Sequence, residues 1–113
     1  MPPSQFDLTA GERELIIGPA KYRVSYERGV RNGSEALYAD HDSEALVIRV
    51  STDAPPQRRP IALLHEIFHA LEDQAGLEFT EPQLETISFQ LAGILRHNPE
   101  MVLDMLRVWG HNV

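Results

Sequence analysis

Five consecutive residues, His65-Glu66-Ile67-Phe68-His69, combine side chains whose types and spacing suit a metal ion and a water molecule. On a helix, residues four apart lie one turn above each other on the same face, so both imidazoles can reach a single ion. The glutamate beside the first histidine projects to the side, where it can act on a water without being a ligand. Zinc suits this H-E-x-x-H pattern. It lowers the pKa of a bound water to about 7, and the carboxylate removes a proton as the water attacks a carbonyl. The plainer alternative is a pair of helix-surface histidines beside a solvated glutamate.

A catalytic zinc takes three protein ligands and keeps one position open. Glu72, on the same helix, is too distant from His65, roughly 10 Å by helical rise. A second continuation, H-x-x-G-x-x-H, is excluded because Glu72 and Ala75 stand where Gly and His are required. The following helix offers a better ligand. Residues 76–79 form a link short enough for the two helices to pack as an antiparallel hairpin. With a pivot near Leu77, Glu85 lies level with His69, beside the apolar Leu84 and Ile87, while Glu81 lies about a turn too low. Glu85 is therefore the expected third ligand and Glu81 the alternative.

These residues need elements to hold them. Proline at 55, 56 and 60 marks a helix entry, and apolar Ile61, Leu64, Phe68 and Leu71 recur at helical spacing up to the natural C-cap Gly76. Thr80 with Gln83 forms a capping box opening a second helix, with the stripe Leu84, Ile87, Leu91, Ile94 and Leu95. Asn98-Pro99 ends it and opens a third, with the stripe Val102, Met105, Leu106 and Trp109. Ahead of the helices the pattern is β. Residues 14–17 and 21–26 flank Gly18-Pro19, and Tyr22, Val24 and Tyr26 alternate as in a half-buried strand. Residues 28–34 read as loop, and 36–39 and 45–50 as strands joined by the polar turn Asp40-His41-Asp42-Ser43. The last strand is expected at the centre of the sheet, covered on both faces. The expected fold is α+β: a small antiparallel sheet of three or four strands within 21–50, then three helices within 55–110. The segment 1–20 is left without a single assignment, because Thr9 with Glu12 can also cap one helical turn.

Composition narrows the class. Apolar residues make up 42% and charged residues 24% of 113 residues, which suits one globular domain spanning 1–113 rather than a disordered or fibrous chain. The absence of cysteine excludes disulfides, cysteine zinc sites and thiol nucleophiles. A net charge of −7 disfavours nucleic-acid partners. No apolar run approaches the ~20 residues that cross a bilayer, and the N-terminus lacks the pattern of a signal peptide, so a soluble cytoplasmic protein without a membrane partner is expected.

The run Leu63-Leu64-His65-Glu66-Ile67-Phe68-His69-Ala70-Leu71, followed by Glu85-Thr86-Ile87-Ser88, is similar to gluzincin-type metallopeptidases. More closely, residues 21–99 resemble the compact ImmA/IrrE-like metallopeptidase domains of bacterial and phage genomes. The resemblance implies zinc on His65, His69 and Glu85, Glu66 as general base, and hydrolysis of a peptide bond in a regulatory protein substrate. Phe89 stands where thermolysin-like enzymes carry an aspartate that orients a ligand histidine, which leaves Glu72, Asp73 or a backbone carbonyl for that task. Tyr26, Tyr38, His41 and His97 are the candidate donors to the oxyanion, with helix-end capping favoured for His97. A non-catalytic, metal-stabilised binding module of the same fold is the rival reading.

Overall fold

The computed structural model describes residues 11–113. It is α+β: a four-stranded mixed sheet followed by three helices. Thr9 of the possible N-terminal cap lies outside the described residues, and Glu12 falls within the first strand.

That strand, β1 (Gly11–Ile17), forms a hairpin with β2 (Ala20–Glu27) through Gly18-Pro19. Gly18 sits at φ +55°, and a Cβ there would lie 2.5 Å from the Gln74 side chain, which itself donates to the Ile17 carbonyl at 2.6 Å. Glycine at 18 thus meets both a backbone and a packing demand. A two-stranded ribbon follows, β3 (Arg31–Asn32) with β4 (Glu35–Ala36), then β5 (Ala39–Asp42) and β6 (Val47–Ser51).

The sheet order is β1-β2-β6-β5, with β6 antiparallel to β5 but parallel to β2. This corrects the all-antiparallel expectation. Residues 28–46 form a long excursion that brings the chain back beside β2 in the same direction, which a tight hairpin cannot do. The last strand is central, as expected. Its two faces differ, however. Ile48 and Val50 are wholly buried on one, while Val47 and Arg49 on the other are only half-buried. There Arg49 pairs with Asp40 and reaches Glu27 at 3.7 Å, so among the described residues ion pairs, rather than a second layer, border that face.

A one-turn 3-10 helix (Pro56–Arg58) leads into α1 (Arg59–Ala75), which packs on β5 and β6 and touches β1. Tyr22, Val24, Tyr26, Ile48 and Val50 form the sheet side of the core; α1 adds Ala70 with the half-buried Leu63, Ile67 and Leu71. The sheet-facing line of α1 is therefore displaced from the expected stripe, of which Ile61, Leu64 and Phe68 are half-buried. α1 meets the sheet on one side and the next helix on another, so its apolar arc is wider than one stripe.

Gly76 (φ +66°) ends α1 in the left-handed conformation that glycine favours. In α2 (Glu81–His97), the Thr80 hydroxyl accepts from the Gln83 amide at 3.2 Å while Gln83 accepts from the Thr80 amide at 2.9 Å, completing the box expected there. Leu84 and Ser88 are fully buried, whereas Ile94 and Leu95 are exposed. α3 (Pro99–Val108) packs on α2 alone among the described elements. Its Val102 and Leu106 are half-buried, but Met105 and Trp109, expected in the core, are exposed because no further layer of the described residues reaches them. No described helix is long and apolar enough to cross a membrane.

Thr80→Ala should destabilise the fold by about 1 kcal/mol, as loss of an N-cap does, with Thr80→Ser near wild type. Urea unfolding followed by circular dichroism measures both.

Candidate metal centre

α1 turns His65, Glu66 and His69 toward the region between the edge strand β5 and the start of α2. One ligand atom from each of the three lies within 4.8 Å of the others. Glu66, only 7% exposed, falls on the sheet-facing side of α1. A buried carboxylate there requires a donor, and β5 supplies one. His41 pairs opposite Ile48, so its side chain shares the helix-facing side of the sheet. Its Nδ1 donates to Glu66 Oε1 at 2.9 Å, and its Nε2 is 3.6 Å from Asp73 Oδ2. The hydrogen bond to Glu66 is the main cause of a raised His41 pKa, against the opposing effect of partial burial.

The imidazole of His69 is fixed from two sides. Its ring stacks on His41, with centroids 5.3 Å apart and planes within 14°. Its Nδ1 donates to Glu72 Oε1 at 2.9 Å, and Glu72 Oε2 accepts the Phe79 amide at 2.8 Å. That amide, with His69, holds the Glu72 carboxyl below its ordinary pKa. Glu72 therefore ties His69 to the link that leads into α2.

The carboxylate that meets both imidazoles belongs to Glu81. Its Oε2 is 3.2 Å from His65 Nε2 and its Oε1 3.2 Å from His69 Nε2. The expected level match with Glu85 fails because residues 77–80 are not helical and Thr80 is extended. Extended chain advances about 3.3 Å per residue against 1.5 Å in a helix, so four such residues can recover the height α1 covers from His69 to Gly76. Glu81 rises to the histidines, and Glu85 lies a turn beyond, along a neighbouring cleft and without an ion pair among the described residues.

The donor set fits a cation. With its Nδ1–H given to Glu72, neutral His69 presents an Nε2 lone pair toward a carboxylate oxygen. Two such acceptors stay together only with a positive charge, on the ring or between the groups. Ligands about 2.05 Å from a tetrahedral zinc are roughly 3.4 Å apart, close to both contacts of Glu81. Glu72 then plays the orienting part that a carboxylate plays behind a ligand histidine. Asp73 faces His41 instead.

The neighbouring cleft encloses about 590 Å³. Residues 35–39 border one side; Ile61, Ala62, His65 and Glu66 of α1 and Glu81, Glu85 and Phe89 of α2 border the rest. Arg58 lies over the Phe89 ring, 4.8 Å from its centroid. Among the oxyanion candidates, Tyr38 lines the cleft, Tyr26 is buried in the core, His97 ends α2, and both His41 nitrogens face carboxylates. The place of His41 was hidden by composition, since Asp-His-Asp-Ser reads as a turn; the chain turns three residues later, with Leu46 at φ +56°. The available signal was the hairpin register set by Val47 and Ile48.

No family model, curated protein or solved structure matches the chain.

Zinc titration against a competing chelator should separate the two glutamates. Glu81→Ala is expected to lose stoichiometric binding and Glu85→Ala to keep it, while Glu72→Ala weakens affinity by roughly 10–100-fold.

Proposed function

We propose that the protein is a zinc-dependent metallopeptidase that hydrolyses a peptide bond in a protein substrate. The observation that carries this reading is the convergence of His65 Nε2 and His69 Nε2 on Glu81, each at 3.2 Å, beside the buried Glu66 and at the wall of an open cleft. His65, His69 and Glu81 would hold the ion, an assignment that puts Glu81 in the place expected for Glu85. The likeness of the H-E-x-x-H helix and its partner to ImmA/IrrE-like domains supports the same activity and a regulatory protein as substrate.

The ion, when bound, supplies a Lewis acid that polarises the scissile carbonyl and makes water acidic near neutral pH. Glu66 accepts the proton of the attacking water and returns it to the leaving amine. Tyr38, half-exposed on the cleft wall, can donate its hydroxyl to the developing oxyanion. The segment 36–39 and the edge strand β5 it leads into provide a place for an extended peptide to add as a strand.

Incubating the zinc-loaded protein with a mixed-sequence peptide library and reading products by mass spectrometry tests the activity. Cleavage should stop on chelation, return with zinc, and fall by about 10²–10⁴-fold in Glu66→Gln, which retains the metal. A Glu66→Gln protein that cleaves as wild type would contradict this mechanism. A wild type that holds zinc but cleaves nothing would favour the binding module.

A further inference from the structure

Glu66 is the only member of the proposed centre whose side chain lies in the sheet-facing line of α1, and one of its two oxygens is already committed. Oε1 accepts from His41 Nδ1 at 2.9 Å; among the described residues Oε2 has no hydrogen bond. The imidazole that makes this bond is itself constrained. Its backbone is fixed in β5 opposite Ile48, its ring lies parallel to that of His69, and its other nitrogen is 3.6 Å from Asp73 Oδ2. A ring held by its strand, by stacking and by a second carboxylate cannot turn without breaking several contacts.

We propose that His41 is a positioning residue for Glu66, holding Oε1 so that Oε2 alone is free to take the proton of the attacking water. This rests on the peptidase reading above. A general base must come within about 2.6–3.2 Å of the group it deprotonates, and a displacement of 1 Å can lower the rate by about 10²-fold. A glutamate has three side-chain torsions, so without His41 the carboxylate on this crowded side of α1 would divide its time among orientations. His41 makes no contact that would place it on the metal, so loss of its donor with the stacked ring kept should act on turnover and not on zinc or substrate binding.

Two replacements test this. His41→Phe preserves a ring to stack on His69 but removes the donor; His41→Asn puts an amide N–H near the place of Nδ1. Zinc-loaded wild type and both variants are compared by zinc stoichiometry, by kcat and KM on a peptide from the library that the wild type cleaves, and by the imidazole signals of ¹⁵N-labelled protein. The expected result is unchanged stoichiometry throughout, with kcat lowered by about 10²-fold in His41→Phe at little change in KM. His41→Asn should recover most of that loss. In wild type a slowly exchanging Nδ1 proton of His41 should be visible, and it should disappear in Glu66→Ala. An unchanged kcat in His41→Phe overturns the role, as does loss of zinc from that variant or an Nδ1 proton indifferent to Glu66→Ala. A wild type that binds zinc yet cleaves no library peptide overturns the peptidase reading and this role with it. Unchanged turnover in His41→Phe beside an active wild type overturns this role alone.

Discussion

A carboxylate buried against a sheet is the constraint on which the site depends. Glu66 is 7% exposed on the sheet-facing side of α1, where an unpartnered charge would be strongly unfavourable. The hydrogen bond from His41 resolves this and links two parts of the chain 25 residues apart. It also makes strand register decisive. A slip of one residue between β5 and β6 would turn His41 to the opposite side, where Asp40 and Arg49 now pair, and would leave Glu66 without its donor. The ion pair on one side and the His41–Glu66 bond on the other select the same register.

The helix hairpin is set in a similar way. Glu72 accepts from His69 and from the Phe79 amide, so one side chain orients an imidazole and fixes the exit of the link. Gly76 ends α1, the capping box of Thr80 and Gln83 fixes the first turn of α2, and Glu81 is the first residue of that turn. A carboxylate at a helix N-terminus is favoured by the partial positive charge there. Local capping chemistry thus delivers a carboxylate to two histidines of the preceding helix.

The parts of this arrangement legible in the sequence are those governed by short-range rules. The spacing of His65, Glu66 and His69, the Gly76 stop, the Thr80–Gln83 box and the alternation of Tyr22, Val24 and Tyr26 each depend on a few adjacent residues. What escaped depends on relations between distant segments. The parallel pairing of β2 with β6 follows from the path of the long excursion between them, residues 28–46. Whether Glu81 or Glu85 faces the histidines turns on the rise of the non-helical link 77–80, which apolar periodicity does not record. From its acidic neighbours His41 reads as a turn residue, although its place opposite Ile48 makes it a strand residue with a defined face. On α3, Met105 and Trp109 have core spacing but, among the described residues, no neighbouring layer to bury them.

The central claim is that His65, His69 and Glu81 enclose one ion. Diffraction from zinc-soaked crystals, recorded on both sides of the zinc absorption edge, tests it most directly. The account predicts a single anomalous peak about 2.0–2.2 Å from His65 Nε2, His69 Nε2 and a Glu81 oxygen, with a fourth position open toward the cleft. A peak coordinated by Glu85 in place of Glu81, or no peak between the two imidazoles, would contradict it.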